Sequence, residues 1–201
     1  LGDGPGMLRS VEAVLPAHGA DHPCRGYALG CHAFALEEAG SFVAAERQGL
    51  KGLACASDDA WGLHAVTHVF DMTARSAEGI KLIENHESAW LHCNNFRYHV
   101  WWHKAILYLD LGETERVLEL YDQKIRHDKT DDYRDIANAT SLLMRLELEG
   151  INVGDRWAEL ADIAQARTDD GCLVFADLHY MLALSGDRRD AGCQSLLTRF
   201  S

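Results

Sequence analysis

Proline is almost missing from this 201-residue chain: Pro5, Pro16 and Pro23 are the only three. The residue that most strongly interrupts helices is therefore confined to the first 23 positions, and everything after them is free to be helical. Basic clusters are missing too. Lys and Arg total 19 against 31 Asp and Glu, a formal charge of −12, and no Lys/Arg run occurs. Phosphate contacts need clustered cations, so no nucleic-acid partner is expected. No apolar run approaches the roughly 18 residues of a membrane helix, so no membrane partner is expected either. Nor is there any sustained two-residue alternation of β-branched residues, which argues against a sheet. CxxC, HExxH, GxSxG and GxGxxG are all absent, which removes the commonest thiol-redox, zinc-protease, serine-hydrolase and dinucleotide signatures.

What is present is an ordinary folded composition, 47% hydrophobic and 25% charged, in the range of globular proteins. The cysteines (Cys24, Cys31, Cys55, Cys93, Cys172 and Cys193) lie in apolar, helical-looking stretches, and the expectation is buried thiols in a reducing, cytoplasmic setting. The opening residues, with Gly2, Gly4, Pro5 and Gly6, do not read as a secretory signal. Leu at position 1 suggests a piece of a longer protein.

Self-similarity is the strongest feature. Aligning Tyr27 with Trp61 sets a period of 34 residues, and Leu29 then meets Leu63, Ala33 meets Thr67, Leu36 meets Phe70, and Ala45 meets Gly79. That length and its large-small-large pattern define the tetratricopeptide repeat. After a four-residue insertion, Trp101, Ala105 and Tyr108 fill the same positions in a third unit. Ser141–Gly150 with Trp157–Ala166 gives a fourth pair, and Phe175–Ser185 with Asp190–Phe200 a fifth. The first helix of each pair is expected to stop at Gly40, Ala74, Gly112, Gly150 or Gly186, four of them the residue that best tolerates a left-handed helix end. The prediction is an all-α fold, a right-handed tetratricopeptide-type α-α superhelix of about five antiparallel helix pairs over residues 27–201. Residues 1–26, with a helix over Leu8–Leu15, would be an N-terminal cap or the remnant of a preceding repeat.

The segments Tyr27–Gly40 and Asp59–Met72, followed by His99–His103, Leu120–Asp122, Ser141–Leu146 and Gly154–Trp157, resemble the tetratricopeptide repeat protein 38 family over roughly residues 23 to 200. The resemblance implies a helical repeat fold, and an additional N-terminal helical half in the usual family member. It implies no defined reaction.

Side chains four apart on one helix share a face. His64 and His68 have that spacing in the second unit, with Trp61 and Asp71 a turn away at either end. His99 and His103 repeat it in the third, beside Trp101 and Trp102, and Glu37 and Glu38 close the first helix of the preceding pair. Stacked repeats would bring these together in one groove, giving candidate ligand-binding residues Glu38, Trp61, His64, His68, Asp71, His99, Trp102 and His103. Three readings compete. The cluster could take a divalent metal, although no cofactor is required by the sequence. It could carry acid–base catalysis, with Glu38, Asp71 or Asp177 orienting a histidine. Or it could bind a small molecule, peptide or partner protein in a concave groove, the usual task of a helical repeat and the reading adopted. The plainer alternative assigns the tryptophans to the core, each histidine to a helix–helix hydrogen bond, His179 to an interior packing position, and Asp122, Asp135, Arg145 and Arg156 to a buried polar network. A homo-oligomer formed through the apolar Ser195–Phe200 end is a further expectation. The sequence assigns no catalytic residue.

Overall fold

The computed structural model describes residues 2–200, which form twelve α-helices and no strand. They fall into two compact units that divide between Val100 and Trp101, inside α7 (Phe96–Asp110).

The first unit contains α1 (Gly4–Val14), α2 (Arg25–Glu38), α3 (Phe42–Cys55), α4 (Ala60–Met72), α5 (Ser76–Asn85) and the short α6 (Glu87–Trp90). The N-terminal helix is longer than its apolar stretch suggested, because Pro5 sits in its first turn, where no backbone donor is needed, and Asp3 accepts from the Gly6 amide at 2.8 Å. The aligned positions bear out the 34-residue register: Leu29, Leu63, Ala33, Thr67, Leu36, Phe70 and Ala45 are all buried. Leu36, Ala45 and Val69 pack with Leu8, Phe42 and Ala44, so α1 joins the same core as the first two pairs. The helices of this unit approach closely. A Cβ on Gly52 of α3 would stand 2.9 Å from the Gly26 carbonyl of α2, and one on Gly30 would stand 2.1 Å from Asp59 Oδ2 at the start of α4.

The second unit contains the rest of α7, then α8 (Thr114–Leu120), α9 (Tyr133–Leu148), α10 (Arg156–Gln165), α11 (Val174–Gly186) and α12 (Asp190–Phe200). α8 continues into one π-helical turn, Tyr121–Ile125. The core combines fully buried aliphatic side chains, Leu142, Leu143, Leu146, Leu160 and Leu184, with the buried rings of Tyr121, Trp157 and Tyr180. Here α9 begins at Tyr133, well before the predicted Ser141, because Asp132 caps it through the Arg134 amide at 2.9 Å and Ile136 and Ala139 already face the core.

The first helices of all five pairs end in the same way. At Gly40, Ala74, Gly112, Gly150 and Arg188 the backbone turns left-handed, with φ of 77°, 55°, 75°, 79° and 55°. At each, that residue's amide and the next one's bond back to carbonyls of the last helical turn, as in Gly40 to Glu37 and Ser41 to Leu36, both 2.8 Å. Successive closures are 34, 38, 38 and 38 residues apart. The fifth was misplaced by sequence reading. Gly186 is still helical, and it is glycine because a Cβ there would lie 2.4 Å from the Trp157 indole. The cysteines also differ from expectation: four are exposed, Cys93 and Cys193 are half-buried, and all six are free. Cys24 and Cys172 lie in loops beside charged residues, and Cys31 and Cys55 lie on the solvent-facing sides of α2 and α3.

The closures give a direct test. Gly112 has open space where a Cβ would go, so Gly112→Ala should cost about 1 kcal/mol from backbone strain alone, and Ala74→Gly should gain up to about 1 kcal/mol. Urea unfolding of both variants checks the opposite signs.

Candidate functional site

The first unit gathers three histidines. His64 and His68 lie one turn apart on α4, and His99 lies in the first turn of α7. His64 Nε2 is 2.9 Å from His68 Nε2 and 3.0 Å from His99 Nε2. On the far side of the His68 ring, Nδ1 meets Glu37 Oε2 at 3.2 Å, from the last turn of α2. A carboxylate only accepts, so Nδ1 of His68 carries a proton, and in the neutral ring Nε2 presents its lone pair to His64.

Aromatic rings enclose the cluster. Phe34 stacks on His64 at 5.8 Å between centroids, and Phe96 meets it edge-on at 5.3 Å. Trp61 lies 5.0 Å from His64 and 4.7 Å from Phe34 while leaving 39% of its own surface open to solvent. His64 is buried, and burial, aided by His68 and His99 as would-be like charges, holds its pKa well below the ordinary 6.5. It is a neutral imidazole with lone-pair capacity. Glu37 is also buried, so His68 is its means of being paired inside the fold.

One further group shapes this region. Asp59, which begins α4, is buried between Gly30 and Gly62, and burial raises its carboxyl pKa to about 6 against the opposing pull of the Gly62 and Trp61 amides.

The structure sorts the residues named from sequence. His64, His68, His99 and Trp61 come together. Glu38 is exposed, and the carboxylate hydrogen-bonded to His68 belongs to its neighbour Glu37, because that position faces α4 while Glu38 faces water. Asp71 is half-buried in the last turn of α4. His103 and Trp102 belong to the second unit, His103 buried and its ring 4.9 Å from that of the half-buried Trp102. Trp90, Trp101 and Trp157 are core residues as the plainer reading held.

The proposed polar network divides. Arg156 pairs with Asp122 at 2.6 Å, the buried Asp135 accepts from the Thr130 hydroxyl, and Arg145 is exposed with its guanidinium over Trp102 at 5.5 Å. Asp177 is committed to Arg199 at 2.7 Å. His179 is half-exposed rather than interior, since its Nδ1 donates to the Phe175 carbonyl of its own helix at 2.7 Å. Phe34 and Phe96 were missed by sequence reading. The repeat register held the signal for Phe34, which occupies the position in α2 that His68 occupies in α4.

These two buried groups pull stability in opposite directions with pH. A depressed His64 pKa means that the unfolded chain takes up the proton more readily, so stability falls as pH drops below 6.5. A raised Asp59 pKa means that the folded chain holds the proton more tightly, so stability rises as pH drops from about 6 toward 3.8. Asp59→Asn should therefore remove the second contribution and leave a melting temperature that falls more steeply on acidification than in the parent, measured by circular dichroism between pH 4 and pH 7.

No family model matches the chain. Among solved structures it is similar to a Podosopora anserina protein of kinesin-light-chain type with nearly identical TPR-like repeats, at a TM-score of 0.59 and 14% identity over 84% of this chain and 90% of that one. At that identity the likeness establishes the fold, which is a tetratricopeptide-like helical repeat.

Proposed function

We propose that this chain is a helical-repeat binding protein whose recognition surface lies at the histidine–aromatic cluster of the first unit. The observation that carries the reading is Trp61: a large ring packed against Phe34, His64 and Phe96, yet 39% exposed. A stacking face beside polar imidazoles and the Glu38 carboxylate suits a small molecule, or a side chain of a peptide or partner protein, that is flat on one side and polar on its edge. Asp71, Trp102 and His103 belong to the proposed ligand-binding set from their place in the sequence pattern. Membership of the tetratricopeptide repeat protein 38 family is the finer assignment within this proposal, resting on the ordered motifs between Tyr27 and Trp157. A cytoplasmic setting agrees with six free cysteines. Self-association is supported by the exposed Phe175, Leu178, Leu197 and Phe200.

An enzymatic reading has one specific observation in its favour. The Glu37–His68 hydrogen bond fixes an imidazole tautomer in the way that general bases are oriented, next to a second imidazole kept neutral by burial.

Trp61 offers the cleanest test, because its exposure lets it be removed with little loss of core. His64→Ala would open a hole among three rings and confuse binding with stability. In a thermal-shift screen of aromatic and carboxylate metabolites and of short peptides, Trp61→Ala should abolish the shifts given by binders while leaving the ligand-free melting temperature within about 3 °C of the parent. Binders that shift the parent and the variant equally would move the recognition surface elsewhere.

A further inference from the structure

The geometry points to a divalent transition-metal site formed by His64, His68 and His99, with Glu37 as the carboxylate that orients His68. The inference deepens the binding reading at the same cluster, since the ion would supply the point to which a polar ligand coordinates.

Hydrogen bonding does not account for the arrangement. Three Nε2 atoms meet with His64 at the centre, 2.9 Å from one and 3.0 Å from the other. A ring nitrogen carries either one proton or one in-plane lone pair, never both. If His64 Nε2 bears the proton, it can donate along one of these directions in good geometry. If it bears the lone pair, it can accept along one. His68 carries a proton on Nδ1 against Glu37, so in the neutral ring its Nε2 is an acceptor. Two such contacts at normal hydrogen-bond distance therefore exceed what the central nitrogen can serve. One cation serves all three lone pairs at once.

The dimensions agree. Nitrogens about 2.0–2.1 Å from a common ion and at right angles to one another are about 2.9 Å apart, which is the spacing found on both sides of His64. Three imidazoles, with His64 at right angles to each of the other two, leave positions open on a five- or six-coordinate ion. Imidazole donors without thiolate select zinc, iron, cobalt, nickel or copper over magnesium and calcium. Glu37, buried and bonded to Nδ1 of His68, matches the outer carboxylate that sets tautomer and basicity in carboxylate–histidine–metal sets, and it supplies negative charge next to the cation. Glu38 brings a second carboxylate within 4.8 Å of the His68 and Glu37 ligand atoms from the solvent side. The rings of Phe34, Trp61 and Phe96 form the low-dielectric wall that keeps bulk water from the bonds.

The test uses the full chain, stripped with a chelator, reduced, and titrated with Zn²⁺ and separately with Co²⁺. One equivalent should bind, by calorimetry and by elemental analysis after desalting. The cobalt form should show ligand-field absorption without a thiolate charge-transfer band, which separates imidazole ligation from ligation by the exposed cysteines. His68→Ala and His99→Ala should each lose binding by more than 100-fold, Glu37→Gln should weaken it about 10–100-fold, and His127→Ala, whose side chain is 70% exposed in the second unit, should leave it unchanged. Circular dichroism of each metal-free variant establishes that it is folded before it is scored. If the His68 and His99 variants do not fold, Glu37→Gln and X-ray absorption of the zinc-loaded parent decide, with nitrogen or oxygen neighbours at about 2.0–2.1 Å expected. Binding below a tenth of an equivalent, binding equal in the parent and in both folded histidine variants, or a thiolate band overturns the inference. Because no organic ligand is present, a negative result leaves the Trp61-based binding reading to its own test.

Discussion

Chain reversal at the end of each first helix is the constraint on which the rest depends. A helix that must turn back on itself, within three residues in four of the five pairs, has to satisfy its last carbonyls and leave in a fixed direction, and a single left-handed residue does both. Here that device occurs five times, at Gly40, Ala74, Gly112, Gly150 and Arg188. Its repetition at nearly constant spacing produces helix pairs of similar length, and similar pairs present equivalent positions to one another. Two of the five use a residue with a Cβ, so the geometry is enforced by the packing of the pairs and not only by glycine's freedom.

In the first unit, glycine does other work. Gly26, Gly30, Gly49, Gly52 and Gly62 leave no side chain where α2, α3 and α4 cross, so backbone meets backbone or a neighbouring side chain at contacts a Cβ would forbid. Close crossing between α2 and α4 is what lets Glu37, on one helix, reach His68 on the other. The same approach buries Asp59 and Glu37, two carboxylates with different fates. Glu37 has an imidazole partner, whereas Asp59 lies against glycine backbone and has its pKa raised to about 6.

The fold was legible in the sequence because periodicity and helix stops are local. Leu29, Leu63, Leu36 and Phe70 recur at 34 residues and are all core. Gly186 misled because glycine has two uses: it permits a left-handed turn, and it makes room for a neighbour. Only the Trp157 indole lying against it tells which applies. The start of α9 was missed because its early core positions, Ile136, Ala137 and Ala139, are interspersed with the polar Asp135, Asn138 and Thr140, which are themselves buried. At the site, four-residue spacing placed His64 and His68 on one face, which is a property of a single helix. The choice of Glu37 over Glu38 was not visible, since it depends on which of two adjacent side chains faces α4, and that is fixed by the crossing of α2 and α4. The exposure of the cysteines escaped for the same reason.

In the first unit the Nε2 atoms of His68 and His99 both approach that of His64, and Glu37 holds a proton on Nδ1 of His68. Long-range ¹H–¹⁵N NMR of the ring nitrogens in the reduced, chelator-stripped chain, before and after one equivalent of Zn²⁺, tests it most directly. The expected result is that His68 is in the Nδ1–H tautomer, that His64 stays neutral below pH 6.5, and that zinc shifts the Nε2 resonances of His64, His68 and His99 together. Three rings that titrate independently, as imidazole does in water, with no common response to zinc, would contradict it.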